Sequence, residues 1–180
     1  MEKVFIGIDP GSLGGIAVLK GPEIKTYNMP DTYPDIYILL SDIKEEHKSM
    51  DLQVILEDVG HGMPGQSSKA TAVFARHNGH LEMALYALGI RTMKVTPQKW
   101  QKHYSNSLGK SSGCEKTVWK NKLKSLAQQM FPGVKVTLKN ADAILIACYG
   151  AGEHSASAPA KKEAKPKKAP VKYDGPGLFD

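Results

Sequence analysis

The stretch Val4 to Ser12, Val-Phe-Ile-Gly-Ile-Asp-Pro-Gly-Ser, constrains this chain more than any other. Alternation sends Val4, Ile6 and Ile8 to one face of a strand and Phe5, Gly7 and Asp9 to the other, and Pro10-Gly11 ends the strand. A carboxylate closing an apolar strand is costly to bury unless a cation pairs with it. Asp9 is therefore a candidate site residue, with a turn-initiating Asp before Pro-Gly as the plain alternative. The pattern recurs from Leu52 to Glu57, where Leu52, Val54 and Leu56 oppose Gln53, Ile55 and Glu57, so a second acid ends a second apolar strand. A third acid, Asp142, lies in the apolar helical stretch Asn140 to Ala151, on one face with Leu145, Ile146 and Tyr149. Ala141 and Ala143 are small enough to bring that helix close to a sheet, and an acid complementing a helix N-terminus is the competing reading of Asp142.

Between these acids the chain reads as an α/β domain. Gly14 to Lys20 and Glu23 to Met29 are two more strands joined by a Gly21-Pro22 turn, so three antiparallel strands open the domain. Tyr33 to His47 has helical spacing at Ile36, Leu39, Leu40 and Ile43. Asp58 to Ser68 is rich in Gly, Ser and Pro, a loop beside Glu57. The next helix carries the stripe Ala70, Val73, Phe74, His77, Leu81, Ala84, Leu85 and Leu88, ended by Gly89. His77 and His80 have a metal-pair spacing, but the place of His77 inside the stripe favours a packed or interface histidine. Arg91 to Val95 is a short strand, and Thr96-Pro97 starts a helical turn with Lys99, Trp100 and Lys102. Tyr104 to Gly113 reads as a loop, and Ser112 with Glu115 has the capping-box spacing that starts another helix. There Trp119, Leu123, Leu126, Ala127 and Met130 form the buried stripe, while Lys116, Lys120 and Lys124 line another face. From Gly152 the composition turns to Ala, Lys and Pro, too poor in large apolar residues to fold, which divides the chain into a domain over 1–151 and a disordered tail over 152–180.

Charge distribution narrows the function. Met1 to Met93 holds 8 Lys plus Arg against 12 Asp plus Glu, whereas Lys94 to Lys139 holds 10 basic residues against one acid, Glu115. An acidic half with candidate metal ligands followed by a basic segment suits an enzyme that handles a polyanion, though a solvated helix face would also account for the lysines. The first apolar run is too short for a secretion signal or a membrane span, so the expectation is a cytoplasmic protein with no membrane partner. Cys114 and Cys148 are far apart and in no metal-ligand spacing, which fits a reduced compartment. Asp9, Glu57 and Asp142, in the order strand, strand, helix, suit two Mg²⁺ ions about 4 Å apart acting on a phosphodiester, with Mn²⁺ as a possible substitute. A metal-dependent nuclease is the leading inference.

Gly7-Ile8-Asp9-Pro10-Gly11-Ser12, Leu56-Glu57, Met63-Pro64-Gly65-Gln66, Val95-Thr96-Pro97-Gln98-Lys99-Trp100, Phe131-Pro132 and Ala141-Asp142-Ala143-Ile144-Leu145-Ile146-Ala147 together resemble RuvC Holliday junction resolvases. The resemblance is greatest to the phage-type branch and runs in order from Val4 to Gly150. It implies a ribonuclease H-like fold, a five-stranded mixed sheet with its first three strands antiparallel and helices on both sides. It also implies a homodimer that nicks two strands of a four-way junction symmetrically with Mg²⁺. Asp9 would then bridge both metals, with Glu57 on one and Asp142 on the other. Bacterial members carry an acid or a His three residues before the final Asp, where this chain has Lys139. Asn140, Asp58 or water stands as the alternative ligand, and Lys139 as a candidate contact of the scissile phosphate. Lys99, Lys102, Lys110, Lys116 and Lys120 are the expected phosphate contacts, and Gln66, Ser67 and Ser68 the residues placed near the branch point. A broader branched-DNA debranching nuclease and a non-catalytic junction-binding protein remain as competing functions. Sugar kinases and related ATPases share the Asp-Pro-Gly-Ser turn but need a second phosphate-binding domain, for which 180 residues leave little room. Leu178-Phe179 is similar to peptides that dock on sliding clamps, without their usual glutamine, and ordinary tail sequence is the favoured reading there.

Overall fold

The computed structural model describes residues 2–59, 67–109 and 113–156. Strand β1 (Lys3–Asp9) lies at the centre of a five-stranded sheet, flanked by β2 (Gly15–Lys20) and β4 (Asp51–Glu57), with β3 (Glu23–Asn28) and β5 (Arg91–Val95) at the edges. The β1-β2 and β2-β3 pairs are antiparallel, joined at the second turn by Gly21 with φ of 54°, whereas β1-β4 and β4-β5 are parallel. This is the mixed sheet of an α/β ribonuclease H-like fold.

The alternation of β1 divides the core in two. Val4, Ile6 and Ile8, joined by Val54 and Leu56 of β4, pack against Ile36, Leu40 and Ile43 of α1 (Tyr33–Glu46) and Leu81 and Leu85 of α2 (Ser68–Ala87). On the opposite face Phe5 and Ile55 meet Trp100 of α3 (Pro97–His103), Leu123 and Ala127 of α5 (Lys116–Met130), and Ala143, Ile144 and Ala147 of α6 (Ala141–Ala156). Helix α6 lies directly on β1. A Cβ at Gly7 would stand 2.1 Å from the Ala143 carbonyl oxygen and 2.4 Å from the Ala147 nitrogen, so only glycine allows this approach.

Several boundaries differ from those expected. A single helical turn, α4 (Ser105–Leu108), interrupts the stretch read as a loop after Tyr104. Helix α5 starts after Glu115, which is its N-cap and forms no side-chain cap hydrogen bond, because Gly113 is held at φ of 82° and cannot be a helical residue. Ser112 lies outside the described residues. The stripe on α2 is buried only in its second half, since Val73 is 60% exposed and Ala70 is also exposed. Helix α6 continues past the expected end at Ala151 to Ala156. Residues 157–180, with Leu178-Phe179, lie outside the described residues. Among the described residues no helix is long and apolar enough to cross a membrane.

Candidate active site

Strand register brings the first two acids together. Ile8 pairs with Leu56 across the parallel β1-β4 ladder, so Asp9 and Glu57 follow as the next residues on neighbouring strands, on the face covered by α6. The third acid arrives with the N-terminal turn of α6. Gly15 stands opposite Asp9 in β2, and a Cβ there would be 2.8 Å from the Lys139 carbonyl oxygen. Glycines at 7 and 15 thus let α6 and the residues before it settle onto the sheet beside Asp9. The start of α6 is held by Asn140, whose Oδ1 accepts from the Thr137 backbone N–H (2.7 Å), while its Nδ2 donates to Thr26 Oγ1 and the Lys135 carbonyl. Asn140 thereby anchors the start of the helix through both ends of its side-chain amide.

Burial raises all three carboxyls, and neighbouring acids add to the rise at Asp9 and Glu57. Burial, the charges of Glu57 and Asp142, and a hydrogen bond to Glu57 push the Asp9 carboxyl up to about 8. Glu57 is only 7% exposed and its carboxyl is raised, chiefly by burial and further by Asp142, against a lowering hydrogen bond from Trp100. Burial also raises Asp142. Lys120 of α5 is the cation whose charge lowers all three. Among the described residues the ion pairs form elsewhere, as between Arg91 and Asp51 or Lys94 and Glu82, and none ends on these acids.

Clustered carboxylates with so little matching positive charge fit divalent cations. Among the described residues no group of three or more His, Cys, Asp or Glu side chains is arranged to hold a single ion. The His80 ring stacks on Tyr33 with centroids 3.8 Å apart, and His77 is half-buried beside the same tyrosine.

Of the residues expected at DNA, Lys99, Lys102, Lys116, Lys120 and Lys139 are exposed. Ser67 and Ser68 are exposed at the start of α2, where Ser67 Oγ caps the helix by accepting from the Ala70 N–H at 3.2 Å. Gln66 and Lys110 lie outside the described residues. Sequence reasoning passed over Trp100, whose indole N–H donates to Glu57 Oε1 at 2.8 Å. The available signal was its position one helical turn into the element that follows β5, the strand next to Glu57's own.

The sheet order and the two helical layers are those of a ribonuclease H-like fold. No protein-family model matches it, and no curated protein matches it. RuvC of Thermus thermophilus in complex with a Holliday junction substrate has the same fold, with a TM-score of 0.58 at 14% identity over 86% of this chain and 96% of that one. A second Thermus thermophilus RuvC structure gives 0.52 at 15% identity over 85% and 96%. The yeast mitochondrial Holliday junction resolvase Ydc2 gives 0.46 at 13% identity over 81% and 74%.

Proposed function

We propose that this chain is a divalent-metal-dependent endonuclease that resolves four-way DNA junctions as a homodimer. The observation that carries this reading is the convergence of Asp9, Glu57 and Asp142 from β1, β4 and α6 into one partly buried cluster with little compensating charge. A RuvC of the same fold was solved on a Holliday junction, which favours branched DNA as the substrate. The motifs shared with the phage-type branch favour that branch. Asp9 would be shared between two Mg²⁺ ions, with Glu57 and Asp142 each on one. Such ions, when bound, supply an activated water and stabilise the leaving oxygen of the phosphodiester, and Mn²⁺ would serve in place of Mg²⁺.

The chain's own residues do the rest. Gly7 and Gly15 seat α6 so that Asp142 faces the strand acids, and Asn140 holds that seat. Lys120 sits close enough to affect every acid, so it is suited to hold the phosphate whose bond is cut. Lys99, Lys102, Lys116 and Lys139 would bind flanking phosphates, giving affinity without sequence choice. The homodimer is supported by the exposed apolar side of α2, where Met83 is 64% and Tyr86 82% exposed. These two line a groove of about 700 Å³ with Ile90, Thr92 and Lys94.

The test compares the parent with Asp9→Asn on a labelled four-way junction, a fork and a linear duplex, with and without Mg²⁺. Paired nicks on the junction, dependent on Mg²⁺ and lost in the variant while binding persists, are expected. Equal cutting of fork and junction would replace resolution by general debranching. Tight binding by the parent with no cutting would make this a junction-binding protein.

A further inference from the structure

Glu57 is held by a residue that cannot itself bind a metal. The Trp100 side chain is fully buried, and its indole N–H reaches Glu57 Oε1 at 2.8 Å. An indole offers a donor and no acceptor, so it can fix one carboxylate oxygen without competing for a cation. Its own position is over-determined. The ring meets Tyr104 edge-on at 6.3 Å, and the Tyr104 hydroxyl donates to the Leu145 carbonyl of α6 at 2.6 Å. The neighbouring Gln101 Oε1 accepts from the Trp119 indole of α5 at 2.9 Å. Helix α3 is thereby tied to both elements that bring the other site residues, Asp142 on α6 and Lys120 on α5.

We propose that Trp100 is a positioning residue for the metal centre: its indole N–H holds the Glu57 carboxylate in the orientation that a divalent cation requires. The idea rests on the reading of Asp9, Glu57 and Asp142 as metal ligands. Partners that orient a ligand from behind typically contribute about 10- to 100-fold in metal affinity. Trp100→Phe keeps an aromatic ring in the core and removes the donor. It is expected to raise the Mg²⁺ dissociation constant, read by calorimetric titration without DNA, by about 10- to 100-fold. The Mg²⁺ concentration for half-maximal cleavage should rise by the same factor, and the rate at saturating Mg²⁺ should recover.

A measurement on the parent chain holds even if Trp100→Phe does not fold. The chain has 2 tryptophans, so Trp119→Phe leaves a single indole ¹⁵N–¹H resonance and identifies that of Trp100. This resonance should move during a Mg²⁺ titration with the calorimetric midpoint. A parent that binds Mg²⁺ while the Trp100 resonance stays still, or a folded Trp100→Phe that binds Mg²⁺ as tightly as the parent, overturns the positioning role and leaves the metal site standing. A parent that binds no Mg²⁺ overturns both.

Discussion

Three acids gathered at one end of a sheet are a liability to a protein without bound metal, and Asp9 shows it most. Its carboxyl moves from 3.8 to about 8 on burial beside Glu57 and Asp142. A group whose folded pKa lies above its unfolded value contributes fully below the unfolded one, and that contribution is lost as pH rises through the folded one. The metal-free protein should therefore lose thermal stability between about pH 4 and pH 8 through Asp9. Saturating Mg²⁺ should raise the melting temperature more at pH 8 than at pH 5. Calorimetric scans in EDTA and in Mg²⁺ across that range check both, and a melting temperature in EDTA that climbs steadily with pH would refute the first. Asp9→Asn removes the charge at nearly constant volume, so it should melt higher than the parent in EDTA at pH 8. Its cleavage should fall by on the order of 10³-fold, since a metal centre supplies several kcal/mol at about 1.4 kcal/mol per decade. A variant that is less stable and still active would contradict the role given to Asp9. Both strand acids were legible because alternation along β1 and β4 is local. Trp100 was not, because its bond to Glu57 spans 43 positions and depends on β5 having docked beside β4.

At the level of elements, the seat of α6 on β1 decides whether Asp142 reaches the others. Gly7→Ala would place a methyl 2.1 Å from a backbone oxygen and 2.4 Å from a backbone nitrogen, neither of which can turn aside. Overpacking costs typically about 1–3 kcal/mol, and contacts with main chain put this case at the upper end or beyond. Urea denaturation should show that loss, and the surviving folded fraction should cleave more slowly because α6 has been pushed off the sheet. Unchanged stability would mean that the helix does not sit so close. Helix α5 offers a second test through its lysines. Lys116→Ala with Lys124→Ala should weaken junction binding and lower the slope of log K against log salt by about 0.9 for each phosphate no longer neutralised. A parallel shift with no change of slope would place those side chains away from the DNA. The small residues Ala141 and Ala143 made this close packing readable in advance, and Gly7 is the partner on the strand that completes it. The boundaries that moved were set by features outside the local pattern. Gly113 in a left-handed conformation delays α5, and the first turns of α2 leave Ala70 and Val73 of the apolar stripe exposed.

One chain carries one set of Asp9, Glu57 and Asp142, and a junction resolved symmetrically needs two cuts. In the proposed dimer a pair of chains related by a twofold axis would supply them, with the same surface on each subunit. The side of α2 that leaves Met83 and Tyr86 exposed is the surface best suited, because large apolar side chains contiguous with a groove favour burial against a like surface. Both residues lie on the layer opposite α6, so a dimer formed there leaves the acids uncovered. Met83→Asp with Tyr86→Asp should set like charges facing each other across the axis and yield monomers in sedimentation equilibrium. The substitutions are exposed, so the melting temperature of the monomer should change little beyond the effect of separating the subunits. On a supercoiled plasmid with an extruded cruciform, the parent should give linear product, from two cuts within the lifetime of one complex. The double variant, with Asp9, Glu57 and Asp142 intact, should give nicked circles instead. Linear product from a proven monomer would show that one chain cuts both strands in turn, and an unaltered dimer would move the subunit interface to another surface.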